Sequence, residues 1–223
     1  MIPWVQLGAA QIPDGGELRL MRRGDEYSIM SGAIELMNSR LSGSERALAT
    51  LTCARVAERR SARMLVGGLG MGFTLGAALG GLGPDASVTV AELVPAVVGW
   101  ARGPMAAIFG ENLGDPRVTI RVADVAAVIG EARATYDAIL LDVDNGPGGL
   151  NREANDGLYA PAGLAAAKRA LRPGGVLAVW SAGPSPAFTR RLASAGYAAE
   201  EIGVRATGGR RGARHVIWLA TPR

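Results

Sequence analysis

The stretch "MLVGGLGMGFTL", residues 64–75, decides the fold. Residues suited to a buried strand run into Gly68, Gly70 and Gly72, and then into an apolar pattern with helical spacing that begins near Phe73. Glycines between a strand and a helix let the backbone turn tightly and approach a ligand closely, while the first helical amides point at the same place. The same glycines also suit a strand-to-helix turn that holds nothing, so the reading depends on the residues C-terminal to the turn.

Strands and helices alternate on the C-terminal side of this turn. The pattern predicts strands at 63–67, 87–92, 117–122, 137–142 and 175–181, and helices near 73–82, 95–109, 124–133, 157–172 and 185–195. Repeated strand–helix–strand units give a parallel sheet with helices on both faces, because the crossovers are right-handed. Strands such as "AILLD" and "VLAVW" are apolar almost throughout, as burial on both faces requires. The tail, "AAEEIGVRATGGRRGARHVIWLATP", reads as two strands joined by a Gly/Arg loop, an antiparallel hairpin closing one sheet edge. Seven strands ending in such a hairpin are the layout of the class I methyltransferase-like Rossmann fold, an α/β architecture.

Ahead of this unit, "ELRLMRRGDEYSIMSGAIELMN", residues 17–38, alternates in short segments broken at Gly24-Asp25 and Gly32, as a small antiparallel β-meander does. "SGSERALATLTCARVAERR" then reads as a helix capped by Ser42 or Ser44, with arginines at its C-terminal end. The expected organisation is a small β-rich leader over 1–43 and a Rossmann domain over 44–223.

Composition narrows the function classes. A chain of 223 residues, 48% of them hydrophobic, can bury one large core plus a small appendage. Long apolar runs are absent, and the N-terminus lacks the basic segment and apolar core of a signal peptide, so a cytoplasmic protein is expected. Cys53 is the single cysteine and His215 the single histidine. That excludes an internal disulfide and leaves few metal ligands, so no metal is expected and Cys53 should pack inside a helix. The formal charge of +4 is carried almost wholly by scattered arginines, with Lys168 the only lysine. Outside "RATGGRRGAR" there is no basic cluster, which argues against a nucleic-acid partner.

The acidic residues at strand ends give the glycine turn its partners. Glu92 closes the next strand, about 20 residues beyond the glycines, where a carboxylate accepts both hydroxyls of a ribose. Asp124, in "VTIRVADV", stands where it can accept an adenine amino hydrogen, and it serves equally well as a helix N-cap. No Lys-Ser/Thr pair comes after the glycines, which excludes a P-loop. The set describes an adenosine pocket without a phosphate site. "LLDVDNGPGGLN" then puts Asp142, Asp144 and Asn145 at the carboxyl end of a parallel strand. A carboxylate placed there can accept a proton from a bound group and fix that group's direction. Asp142 is the first candidate, with Asp144 sharing the task or binding a second group; the alternative is that both only build the turn before Pro147. Tyr159 and His215 fit packing roles better than catalytic ones, and Trp180 fits either the site or the core.

In this order, "MLVGGLGMGFTL", "VTVAELVPAVVGWAR", "DPRVTIRVADV" and "YDAILLDVDNGP" resemble the spermidine synthase family, the polyamine aminopropyltransferases, from about Arg63 to Ser181. The resemblance implies a donor that is decarboxylated S-adenosylmethionine or S-adenosylmethionine itself, a small-molecule amine acceptor, and self-association, for example as a homodimer. It implies Glu92 as the ribose acid, Asp124 as the adenine-side acid and Asp142 as the catalytic base. Two positions depart from the family pattern. Met71 stands where the family's turn carries an Asp that holds the donor's terminal amine, and the family's Tyr-His-Glu segment reads Gly43-Ser44-Glu45 here. Without a carboxylate at 71, intact S-adenosylmethionine and methyl transfer become easier to accommodate. The open readings are therefore an aminopropyltransferase-like enzyme, a methyltransferase acting on a small molecule, and a non-catalytic nucleoside-binding protein. Arg210, Arg211 and Arg214 at the hairpin tip would favour an acidic acceptor if they overhang it.

Overall fold

A computed structural model of the chain describes residues 2–13, 15–143, 146–147, 157–207, 209 and 212–223. The leader forms a four-stranded antiparallel sheet of β1 (Val5–Gln11), β2 (Glu17–Arg23), β3 (Glu26–Ser31) and β4 (Ile34–Asn38), in that order. Helix α1 (Gly43–Arg55) then leads into β5 (Arg63–Gly67), α2 (Phe73–Gly81), β6 (Ser87–Glu92), α3 (Pro95–Arg102) and the short α4 (Ala106–Phe109). The remainder is β7 (Val118–Val122), α5 (Val125–Glu131), β8 (Tyr136–Leu141), α6 (Pro161–Ala170), β9 (Leu171–Ser181), α7 (Pro186–Ser194), β10 (Tyr197–Arg205) and β11 (Arg214–Pro222).

These later strands build a seven-stranded sheet in the order β10-β11-β9-β8-β5-β6-β7. Strand β5 sits at the switch point, parallel to β6 on one side (Val66 opposite Val90) and to β8 on the other (Val66 opposite Leu140). The sheet's α/β class and the closing hairpin are those read from the sequence, with β11 antiparallel to both neighbours. Side chains alternate between two cores: Ala138 and Leu140 of β8 join α1, α2 and α3 on one face, and Ile139 and Leu141 join α5, α6 and α7 on the other. The first core also takes in Leu18, Leu20, Tyr27 and Ile29 of the leader, so the small sheet is packed onto the large one by buried apolar contact.

Several boundaries differ from the expectations. The helix expected over 95–109 is two pieces, because Gly103-Pro104 interrupts it and Pro104 has no amide to donate. The helix expected over 157–172 is broken at Ala160: residues 157–159 are helical, α6 runs from Pro161 to Ala170, and Leu171 is already paired with Tyr136 as the first residue of β9. Strand β1 is an addition: "VQLGAAQ" has no apolar alternation, and it is a strand because β2 supplies its hydrogen-bonding partner. Ser42 stands at the N-cap of α1 without a side-chain capping bond and accepts instead from Arg46, while Ser44 lies inside the helix. Cys53 is buried in α1 as expected, and burial pushes its thiol up to about 11. No helix among the described residues is long and apolar enough to cross a membrane.

One buried carboxylate fastens the end of the sheet away from the glycine turn. Asp137, at the start of β8 and 1% exposed, accepts from the Arg59 guanidinium, from Arg172 (3.2 Å) and from the Arg63 amide (2.8 Å). It thereby joins the segment after α1, β5, β8 and β9 at one point. Removing it leaves an amide without its acceptor and two cations without their counter-ion, although both guanidinium groups are about one-third exposed and can rehydrate. Asp137→Ala should lower the unfolding free energy by about 3 kcal/mol. Urea denaturation measures this, and a loss below about 1 kcal/mol would show that the contact is not a tie.

Candidate active site

The carboxyl ends of β5, β6, β7 and β8 open into a cleft that the leader sheet roofs. Its enclosed space is about 120 Å³, and it opens to solvent at its mouth. Ile12, Leu18, Ile29, Leu36 and Met37 of the leader close it from above. Gly68, Gly70, Glu92, Asp124, Val125 and Asp142 form its floor and walls.

The glycines make the floor. Gly68 has φ +90°, and a Cβ there would lie 2.5 Å from the Asp142 carbonyl oxygen, so no other residue fits. Gly70 has φ +49°, and a Cβ there would point toward the Met37 sulfur at 3.0 Å, across the space a ligand would use. Gly72 is the N-cap of α2 and backs onto the Phe109 ring. Glu92 is 8% exposed, and its two oxygens accept from the amides of Leu69 (2.9 Å) and Val94 (2.8 Å). These bonds hold the carboxylate at the cleft wall. Asp124 is exposed at the cleft mouth and accepts from the Ala126 amide at 2.8 Å, so it is the N-cap of α5 while still lining the cavity.

A second lobe opens from the same cleft. It is lined by Glu45, Met71, Phe73, Asp142 and Trp180, and shares Leu36, Met37 and Gly70 with the first. Met71 is 4% exposed and packs into the core, so the lobe's charge comes only from Glu45 and Asp142 among its described lining residues. Among the described residues, Asp142 is the one acidic side chain lining both lobes. Its Oδ2 accepts from the Thr74 hydroxyl at 2.5 Å, and Thr74 also lies 3.3 Å from the Glu45 carbonyl. Burial, reinforced by the nearby Glu45 charge and opposed by the Thr74 bond, raises the Asp142 carboxyl to about 7. The Thr74 hydroxyl suits both protonation states: it donates to the carboxylate, or accepts from the acid and donates to the Glu45 carbonyl.

Asp124, Glu92, the glycines and Asp142 are thus brought together, whereas Asp144, Asn145, Arg210 and Arg211 lie outside the described residues. Arg214 is exposed at the start of β11, on the cleft side of the sheet, since Val216 pairs with the last residue of β9. Tyr159 is buried edge-to-face against Phe188 in the second core, a packing role. Trp180 lines the second lobe. Thr74, the leader's roof and the contacts of His215 were not readable in the sequence. Thr74 comes directly after the glycine turn, but which way it faces depends on where β8 ends.

No family profile matches the chain, and no curated protein does. Solved structures are similar in fold. The spermidine synthase from Thermotoga maritima superposes with a TM-score of 0.76 at 17% identity, over 98% of this chain and 73% of that one. A spermidine synthase in complex with the transition-state analogue AdoDATO gives 0.74 at 16% identity, over 98% and 72%. A precorrin-6y C5,15-methyltransferase from Geobacter metallireducens gives 0.53 at 17% identity, over 80% and 87%. The chain has a spermidine synthase-like fold of the class I methyltransferase type.

The raised Asp142 carboxyl makes a stability prediction. Its folded value of about 7 lies above the ordinary 3.8, so between these the folded protein holds a proton that the unfolded chain has released. Stability must therefore fall as pH rises through this window, with the penalty complete above about pH 7 and absent below about pH 4. Asp142→Asn removes the penalty. Its thermal midpoint should exceed the parent's at about pH 8 and match it at about pH 4. Equal midpoints at the higher pH would show that the carboxyl is not desolvated.

Proposed function

We propose that the protein is a spermidine synthase-like transferase, which uses an adenosyl sulfonium to alkylate a small-molecule amine. The observation that carries this reading is the place of Asp142, at the junction of the lobe lined by the glycine turn, Glu92 and Asp124 and a smaller acidic one, with its proton affinity raised toward neutrality. In this reading Glu92 accepts the ribose hydroxyls, Asp124 accepts from the adenine amino group, and the apolar roof covers the base. Asp142 takes the proton of an amine bound in the second lobe. The nitrogen lone pair then forms a bond to the carbon next to sulfur, the carbon–sulfur bond breaks, and its electron pair returns to sulfur to leave a neutral thioether. A carboxyl near 7 is well matched to this proton, because a large fraction is ionised at neutral pH and it is still basic enough to accept.

The glycine turn favours a second reading. Gly68-Leu69-Gly70-Met71-Gly72 carries no charge, so nothing in the turn selects an aminopropyl ammonium over the α-carboxylate of intact S-adenosylmethionine. Methyl transfer to the same amine would use the same base.

Calorimetry with S-adenosylmethionine, its decarboxylated form and methylthioadenosine separates these readings. An adenosyl site predicts binding of all three, with the sulfonium tail deciding the order, and Glu92→Gln should weaken each by about tenfold or more. Failure of all three to bind would overturn the proposal. Asp142→Asn should bind donor nearly as the parent does while turnover falls about 10²–10⁴-fold. Turnover that survives in this variant would leave Asp142 a structural role only.

A further inference from the structure

The acidic wall of the second lobe is held from behind by residues far away in the chain. The Ser44 hydroxyl, wholly buried in the first turn of α1, lies 2.7 Å from Glu45 Oε2 and 2.9 Å from Nδ1 of His215 on β11. The His215 ring also packs edge-to-face on Trp180, with centroids 4.8 Å apart. A further tie, from the Gly43 amide to the Ala206 carbonyl at 2.8 Å, docks the start of α1 beside the base of the β10–β11 hairpin.

Hydrogen counting fixes the direction of this chain. A serine hydroxyl carries one proton and a carboxylate only accepts, so Ser44 donates to Glu45 and must receive its second bond from His215. The imidazole proton therefore sits on Nδ1, not on Nε2, which free neutral histidine in water prefers. Among the described residues, the charged groups facing this chain are Glu45 on α1 and Asp142 beyond β8. Trp180 on β9 and Val204 opposite His215 on β10 are uncharged, and Arg46 is turned away toward Ser42 and Phe73. Burial lowers the His215 proton affinity and Glu45 opposes that, which agrees with a neutral ring acting as a donor.

We propose that His215, acting through Ser44, is a positioning residue that locks the Glu45 carboxylate at the wall of the acceptor lobe and so sets the charge that Asp142 experiences. That this lobe takes an amine rests on the transferase reading, but the chain of hydrogen bonds does not. Without the imidazole, the Ser44 hydroxyl is released to rotate, Glu45 is no longer fixed, and its charge can move away from Asp142. Asn at 215 places an amide N–H where Nδ1–H stands and can restore the bond.

The single histidine makes the test direct, because the imidazole gives one set of nitrogen resonances. Long-range proton–nitrogen spectra of the ligand-free protein should show the Nδ1–H tautomer in the parent and its loss in Ser44→Ala. Aspartate-selective carbon labelling, with the Asp142 signal identified by its absence in Asp142→Asn, should show the Asp142 titration moving down by roughly a unit in His215→Ala. His215→Asn should restore it. An Nε2–H tautomer in the parent would overturn the proposal, as would an Asp142 titration that is the same in the parent and in His215→Ala. Neither readout requires a donor or an acceptor, so failure of adenosyl binding would overturn the proposed activity alone.

Discussion

The segment that comes after β8 can lie against the turn at the end of β5 only because residue 68 has no side chain. The Asp142 amide donates to the Gly67 carbonyl at 3.0 Å, and its own carbonyl oxygen passes 2.5 Å from where a Cβ of residue 68 would stand. That close passage brings the Asp142 carboxyl to the Thr74 hydroxyl, two positions into the helix that the same turn begins. It also aligns the ends of β5, β6 and β8, so that Glu92 and Asp142 face one cleft. A side chain at 68 would separate these strands' ends and with them the two lobes.

Burial in this cleft stabilises the fold and tunes the chemistry together. The leader's Leu18 and Ile29 belong to the same apolar core as Leu140 and Val66, yet they also close the cavity over the glycine turn. Packing the leader against the large sheet removes water from around Asp142, and that desolvation is the main reason its carboxyl holds a proton up to about 7. The leader thus contributes to catalysis, in the transferase reading, by excluding solvent rather than by supplying a reacting group. The two ends of the sheet also carry carboxylates of opposite purpose. Asp137 is surrounded by arginines and an amide, a fully compensated ion. Among the described residues, Asp142 has one hydroxyl and a neighbouring negative charge, and is left under-compensated. A carboxyl in that condition is suited to exchanging protons, one fully paired to holding a structure together.

The elements set by local pattern were legible in the sequence. Apolar β8 and β9, the glycine turn and the closing hairpin each arise from the order of residues within a short window, and parallel topology arises from their alternation. The positions of Glu92, Asp124 and Asp142 at a common edge are fixed in turn, because all parallel strands end on the same side. Local pattern could not give β1, whose small residues carry no strand signal, or the break in α3 at Gly103-Pro104, where the apolar spacing continues across the interruption.

The sequence by itself therefore determined the class of the fold, the place of the cleft and the three acids around it. Tertiary structure alone decided what each acid experiences. The Thr74 and Asp142 side chains meet across 68 residues of chain, and His215 and Ser44 across 171. No periodicity encodes such contacts, because they depend on how two separately built surfaces come to rest on each other. The proton affinity of Asp142 is of the same kind: it is a property of the water displaced by the leader, α1 and the sheet together, and it exists only once all of them have packed.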